Sequence, residues 1–290
     1  MKSSEARGKL VIIGGSEDHE GDRRILKEFI RLAGGAQAHV IIMTVATEMV
    51  KELATEYKGV FKSLGVDNVE AFDVSSRVDA MDEKALEAIK KATGIFFTGG
   101  DQLKITSMLG GTRMHDLIHE RYRKGTVIAG TSAGAAMMSS SMFIGGASDT
   151  NPRLGATEIG PGMDFLAGAI IDTHFSQRGR IGRLLTAVSH YPQDLGFGVD
   201  ENTAMIVEGK EFRVIGESAV TVVDAGAITY TNLPDIGEDE SLALYDVKLH
   251  VLPEGHRFDL EKRTPIVEKR AGAKKNDHSK SSKHKGRNKG

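Results

Sequence analysis

Residues 126–134 read TVIAGTSAG, an apolar run that stops at Gly130-Thr131-Ser132-Ala133-Gly134. A G-x-S-x-G pentapeptide directly after a buried strand marks a tight strand-to-helix turn. Small flanking residues keep neighbouring backbone from clashing, and the turn lifts the serine hydroxyl above the sheet. The next segment, AGAAMMSS at 133–140, is read as the helix. Its first unpaired N–H groups, that of Ala133 above all, are placed to stabilise an oxyanion. The pattern points to Ser132 as a nucleophile.

The same punctuation recurs outward from this turn. KLVIIGG (9–15), AHVIIMTVA (38–46), VEAFDV (69–74) and GIFFTGG (94–100) are short β-branched or apolar runs, the first and last of them closed by glycine. Between them lie RRILKEFIRLA (23–33), KELATEYKGVFKSLG (51–65) and DEKALEAIKKA (82–92), which have helical periodicity. The middle one sets Leu53, Tyr57, Val60, Phe61 and Leu64 on one face. Strand–helix alternation predicts an α/β fold, a three-layer sandwich with a mostly parallel central sheet and helices on both faces. The site is then expected at the carboxyl ends of the strands, where GGSED, TGGDQ and GTSAG all fall. After about Leu195 the chain turns valine-rich, with turn signals at Glu208-Gly209 and Gly216, and reads as added antiparallel strands.

Composition narrows the chemistry. The 290 residues contain no cysteine, which excludes disulfides, thiol nucleophiles and thiolate metal sites and fits a reducing compartment. Residues 1–8 are polar and read as a flexible terminus without the apolar core of a secretory signal, and no run is long enough to span a membrane. The expectation is a cytoplasmic protein with one α/β hydrolytic domain over 9–268. The net charge of −2 conceals an asymmetry: residues 269–290 hold nine lysines or arginines against one aspartate, a local +8 that leaves −10 for the rest. That tail has no apolar periodicity and is read as disordered, a solubilising extension or a tether to a polyanion. Nucleic acid is not an expected partner of the domain itself.

A nucleophilic serine needs a base. Of the ten histidines, His278 and His284 lie in the tail, His39 opens a strand, and His250 and His256 fall near the end of the fold. His115 and His119 are four apart on a helix, but no third metal ligand accompanies them, so no metal site is expected. His174 follows the apolar strand LAGAIID (166–172) and so stands at a strand's carboxyl end like Ser132. Glu201, in GVDENTA (198–204), is the chosen carboxylate to orient it, with Asp200 and Asp172 as alternatives that spacing leaves open.

VIIGGSED, FFTGGDQ, AGTSAGAA, DTHFSQRGRIGRL and GVDENTA, in that order, resemble the cyanophycinase family of serine peptidases over roughly Gly8 to Leu252. The resemblance implies a flavodoxin-like, class I glutamine amidotransferase-like fold and a Ser132, His174, Glu201 triad without metal or organic cofactor. An amidotransferase proper would carry a cysteine at the turn. The family acts on cyanophycin, a poly-aspartate bearing arginine on each β-carboxyl group, and releases β-aspartyl-arginine dipeptides through a serine acyl-enzyme. Such a substrate implies roles for Arg178, Arg180 and Arg183 as carboxylate clamps, at least one of them expected to be structural. It also implies substrate contacts by Asp101, Gln102, Asp172 and Thr173, with the Gly100 amide joining that of Ala133 in the oxyanion hole. Thr173 departs from the glutamine expected there, and the basic tail has no counterpart in the family pattern. A homodimer is implied. Two other readings share these residues: an aspartyl dipeptidase acting on short peptides, and a non-catalytic polyanion-binding protein.

Overall fold

The computed structural model describes residues 8–146, 148 and 151–267. The basic tail 269–290 and residues 1–7 lie outside the described residues. Gly8, grouped above with a flexible terminus, is buried, and its N–H donates to the Tyr122 carbonyl at 2.6 Å.

Four largely buried apolar runs and one half-exposed edge strand, Asn68–Phe72, form a parallel half-sheet. They are β1 (Leu10–Ile13), β2 (His39–Met43), β3 (Asn68–Phe72), β4 (Gly94–Phe97) and β5 (Val127–Thr131), in the spatial order β3-β2-β4-β5-β1. On the far side of β1 the sheet continues antiparallel through β10 (Thr203–Glu208) and β11 (Glu211–Gly216), then through Arg257–Asp259 and Thr264–Ile266. The turn signal at Glu208-Gly209 closes the β10–β11 hairpin, with Gly209 at φ 62°.

Strand alternation sends successive side chains to opposite faces. Val11, Ile13, Val40, Ile42, Phe96, Val127 and Ala129 join one core, against helices α1 (Arg24–Ala33) and α2 (Val50–Ser63). On α2, Tyr57 and Phe61 are buried while Leu53, Val60 and Leu64 pack at the margin of that core. Leu10, Ile12, Ile41, Met43, Ile95, Phe97 and Ile128 face the other way. They meet α3 (Glu83–Lys91), α4 (Gln102–Leu109) and α5 (Arg113–Arg123).

That second face is only partly helical. A six-stranded sheet packs beside those helices, built from β6 (Ser139–Gly145), β7 (Glu158–Pro161), β8 (Leu166–Thr173), β9 (Leu195–Val199), β12 (Ala219–Asp224) and Lys248–Pro253. Phe197 of β9 meets Phe212 of β11 edge-on at 5.7 Å, which ties the two sheets together. The outer face of the second sheet is covered by α7 (Ile181–His190), with Leu184, Ala187 and Val188 against Ile170 and Val223. This sheet was not expected: the chain after about Leu195 reads as antiparallel strands added to the fold, whereas β9 pairs parallel with β8 on one side and antiparallel with β12 on the other, in a sheet of their own. The helix read over 133–140 is also shortened. It is the single turn α6 (Ala133–Ala136), and the chain re-enters a strand at Ser139. The carbonyls of Met137, Met138 and Ser139 accept from Met163, Leu166 and Asp164, which diverts the backbone from its helical course.

Phe96 is fully buried, with Phe29, Tyr57 and Phe61 rings 4.8 to 5.7 Å from its own. Phe96→Ala is expected to lower unfolding stability by about 3–5 kcal/mol in urea titrations. A loss below about 1 kcal/mol would mean that this face of the sheet repacks freely.

Candidate active site

The carboxyl ends of β4, β5, β1, β8 and β9 converge, and so does the start of antiparallel β10. Ser132 follows β5 directly, with φ 53° and ψ −112°. This is a strained backbone for a non-glycine residue, costing about 1–3 kcal/mol. The flanking glycines are sterically required. A Cβ on Gly130 would lie 2.1 Å from the Gly134 carbonyl, and one on Gly134 would lie 2.4 Å from that of Phe97.

His174 follows β8, and Glu201 occupies the turn between β9 and β10. The Ser132 hydroxyl lies 2.9 Å from His174 Nε2, and Glu201 Oε1 lies 2.6 Å from His174 Nδ1. The His174 side chain is 11% exposed, while the Glu201 side chain keeps 35% of its surface. The two alternative carboxylates are engaged elsewhere. Asp200 accepts from the Ser176 amide at 2.9 Å and from the Ser218 hydroxyl at 2.7 Å. Asp172, 1% exposed, accepts from Arg183 Nε at 2.6 Å and again from the second guanidinium nitrogen.

What holds these segments together is the end of β1. Three consecutive carbonyls there each accept from a different site segment: Ile13 from the Ser132 amide (3.1 Å), Gly14 from the His174 amide (2.8 Å) and Gly15 from the Asn202 amide (2.9 Å). Neither glycine admits a side chain. A Cβ on Gly14 would sit 2.0 Å from the Asp200 carbonyl, and one on Gly15 would sit 2.3 Å from His174 Cε1. The sequence offers the signal, Gly14-Gly15 at a strand end, but no partner for it.

Ser132 and His174 open onto a cavity of about 240 Å³ lined also by Gly100, Gln102, Ala133, Phe143, Asp172, Thr173, Arg178, Arg180 and Arg183. Gly100, at φ 141°, has no room for a side chain, since its Cβ would meet the Ala46 carbonyl at 2.1 Å. Gln102 is anchored by an amide N–H to the Phe143 carbonyl at 2.5 Å. Asp101 does not line the cavity: it caps α4, accepting from the Leu103 amide at 2.8 Å. The three arginines differ sharply. Arg183 is buried against Asp172 and lies 4.5 Å over the Phe143 ring. Arg180 donates to the Thr173 carbonyl at 2.6 Å and to Asp172 at 3.3 Å. Burial lowers its pKa to about 10, against the opposing pull of Asp172, so it stays charged at neutral pH. Arg178 is exposed at the cavity wall.

His115 and His119 lie away from this cavity. Their rings are 4.7 Å apart, His119 stacks on Phe165, and His119 Nε2 bonds the Met163 carbonyl. Burial depresses the pKa of both. No group of three or more metal-ligating side chains occurs among the described residues, and no helix there is long and apolar enough to cross a membrane.

A serine in reach of an imidazole, on a flavodoxin-like sheet, places the protein among serine-type hydrolases. Residues 10–215 match the model of peptidase family S51, and the chain belongs to that family of serine-type peptidases. Its relatives include the cyanophycinase of Geminocystis herdmanii, 35% identical over 263 residues, which are 90% of this chain and 97% of the relative. The cyanophycinase of Trichormus variabilis is 35% identical over 269 residues, 92% of this chain and 90% of the relative. The fold is shared with the solved structure of a peptidase from an acI-B1 actinobacterium, at a TM-score of 0.65 and 19% identity, covering 88% of this chain and 97% of that one.

Gly15→Ala presses a methyl group into the His174 ring. It is expected to lower kcat by about 10²-fold while leaving the circular dichroism spectrum unchanged. Retention of wild-type kcat would show that the imidazole has slack to move.

Proposed function

We propose that this chain is a serine exopeptidase that hydrolyses cyanophycin to β-aspartyl-arginine dipeptides through an acyl-enzyme on Ser132. The observation that carries the reading is the unbroken Ser132–His174–Glu201 relay opening onto an arginine-lined cavity. In this reading His174 holds its resting proton on Nδ1, donated to Glu201, and accepts the Ser132 proton at Nε2 as Oγ bonds to the scissile carbonyl carbon. The carbonyl oxygen becomes an oxyanion between the amides of Ala133 and Gly100. With α6 only one turn long, those two N–H groups act individually and a helix macrodipole adds little. The C–N bond then breaks, the Nε2 proton passes to the leaving amine, and water attacks the ester by the same relay.

The arginines divide the binding work. Arg183 and Arg180 are tied to Asp172 and the Thr173 carbonyl, so they shape the wall next to His174. Arg178 is the exposed guanidinium, suited to pair with a free carboxylate of the substrate. A homodimer belongs to the same proposal and rests on the family resemblance; a cytoplasmic setting belongs to it too, and a chain without cysteine is compatible with it.

The test is incubation with insoluble cyanophycin and with β-aspartyl-arginine, products followed by mass spectrometry. Wild-type protein is expected to release dipeptide from the polymer, and Ser132→Ala to lose about 10⁴-fold or more in kcat. Cleavage of the dipeptide alone would move the assignment to a dipeptidase, and undiminished activity in Ser132→Ala would refute the mechanism. Arg178→Ala is expected to raise KM about tenfold or more with kcat little changed; an unchanged KM would remove Arg178 from the binding surface.

A further inference from the structure

On the α1/α2 face of the large sheet, directly beneath the nucleophile turn, lies a buried carboxylate that the relay does not use. Glu17 is 7% exposed and both of its oxygens are engaged. Oε1 accepts from the Tyr57 phenol at 2.6 Å, and Oε2 accepts from the hydroxyl of Thr131, the residue before Ser132, at 2.5 Å. His19 Nε2 approaches Oε1 to 3.5 Å, and its Nδ1 bonds Glu56 at 2.6 Å. The loop that carries Glu17 is itself fixed. Asp18 accepts from the amides of Glu20, Gly21 and Arg23, and the Asp18 amide donates to Asn202 Oδ1.

We propose that Glu17 and Thr131 are positioning residues for Ser132: the carboxylate clamps the Thr131 hydroxyl and thereby fixes the strained turn from the side opposite the cavity. The inference rests on Ser132 being the nucleophile. Three observations support it. Thr131 is the last residue of β5 and is 4% exposed, so its hydroxyl has no solvent to exchange partners with. The contact joins residues 114 positions apart, so it ties the β1 loop to the β5 turn. A buried carboxylate without donors is strongly disfavoured, so the hydrogen bond is not easily given up. Burial alone would raise the Glu17 pKa, but the nearby His19 ring and donation from Thr131 and Tyr57 outweigh it and hold the group ionised, below its ordinary value. Burial and the Glu17 charge push the Tyr57 phenol well above its usual range, so its proton stays in place.

Neither residue touches the cavity, so the effect should reach Ser132 without reaching substrate. The experiment measures the rate at which a fluorophosphonate labels Ser132, together with kcat and KM on the peptide substrate and the melting temperature. Thr131→Val removes only the hydroxyl and keeps the β-branch. Thr131→Ser keeps the hydroxyl. Thr131→Val is expected to slow labelling and kcat by about tenfold or more with KM within about twofold. Thr131→Ser is expected within about threefold of wild type, although it loses a buried methyl and some stability. Wild-type labelling in Thr131→Val would overturn the proposal, and so would an equal loss in Thr131→Ser, which would assign the effect to packing. Should Thr131→Val not fold, Glu17→Met carries the same comparison by removing both acceptor oxygens at similar length, with labelling slowed if the proposal holds and unchanged if it does not. Failure of the wild-type protein to label would count against the nucleophile itself, not against the clamp.

Discussion

Three backbone carbonyls at the end of one strand hold this site together. Ile13, Gly14 and Gly15 accept in sequence from Ser132, His174 and Asn202, residues that lie on three separate segments of the chain. β1 can do this because it lies where the sheet changes character, parallel to β5 on one side and antiparallel to β10 on the other. Its end therefore adjoins the finish of one neighbour and the start of the next, while β8 and β9 deliver His174 from the second sheet. Each backbone bond is modest alone, on the order of 1 kcal/mol net. Their common origin on three adjacent residues, the last of a buried strand and the two glycines that follow it, fixes the relative placement of three segments.

Four acidic residues crowd this end of the molecule, and their surroundings give them separate tasks. Asp172 neutralises buried Arg183 and half-buried Arg180. Asp200 gathers backbone and hydroxyl donors around the β9–β12 junction, and Glu17 braces the turn from below. In each case the donors are fixed by packing, so the carboxylate is unavailable to an imidazole without breaking a buried hydrogen bond. Glu201 alone of the four is partly solvated and still aimed at His174 Nδ1. Its backbone is held in turn by Gln177, whose side-chain oxygen accepts from the Glu201 amide at 3.1 Å.

The parallel half of the fold was legible because its evidence is local. β1, β4 and β5 are apolar runs closed by glycine turns, β2 is an apolar run between helical segments, and α2 shows its buried face in the spacing of Tyr57 and Phe61. Ser132 was legible for the same reason, since G-x-S-x-G after a strand encodes the turn in five neighbouring residues. The second sheet was not. LAGAIID and GFGV carry the signature of a strand buried on both faces, and nothing in that signature names its partner. The contacts that shape the site share this property. Thr131 with Glu17, Arg183 with Asp172 and Asp200 with Ser218 are made across the fold and leave no periodic trace. The arginines show the consequence: DTHFSQRGRIGRL presents three equal cations, and only burial separates Arg178 from the two that are bound within the wall.

Half of the strained non-glycine backbone among the described residues lies where this scaffold is strongest. Among the described residues, Ser16, Ser132, His174 and Asn202 all have left-handed φ angles between 46° and 53°, without being glycine. Each such residue costs about 1–3 kcal/mol, a sum comparable to the whole stability of a domain if nothing opposed it. Here opposition is built in, because the Ser132, His174 and Asn202 amides are those that bond the β1 carbonyls, and Ser16 follows the last of them. A left-handed residue turns its side chain sharply against the chain direction, which lets segments arriving along different strands aim at one point. The hydroxyl and the imidazole can therefore meet at 2.9 Å only where the backbone is bent in this way and pinned. The glycines that make the pinning possible, Gly14 and Gly15, are thus as much part of the site as the side chains they position, although neither contributes an atom that could react.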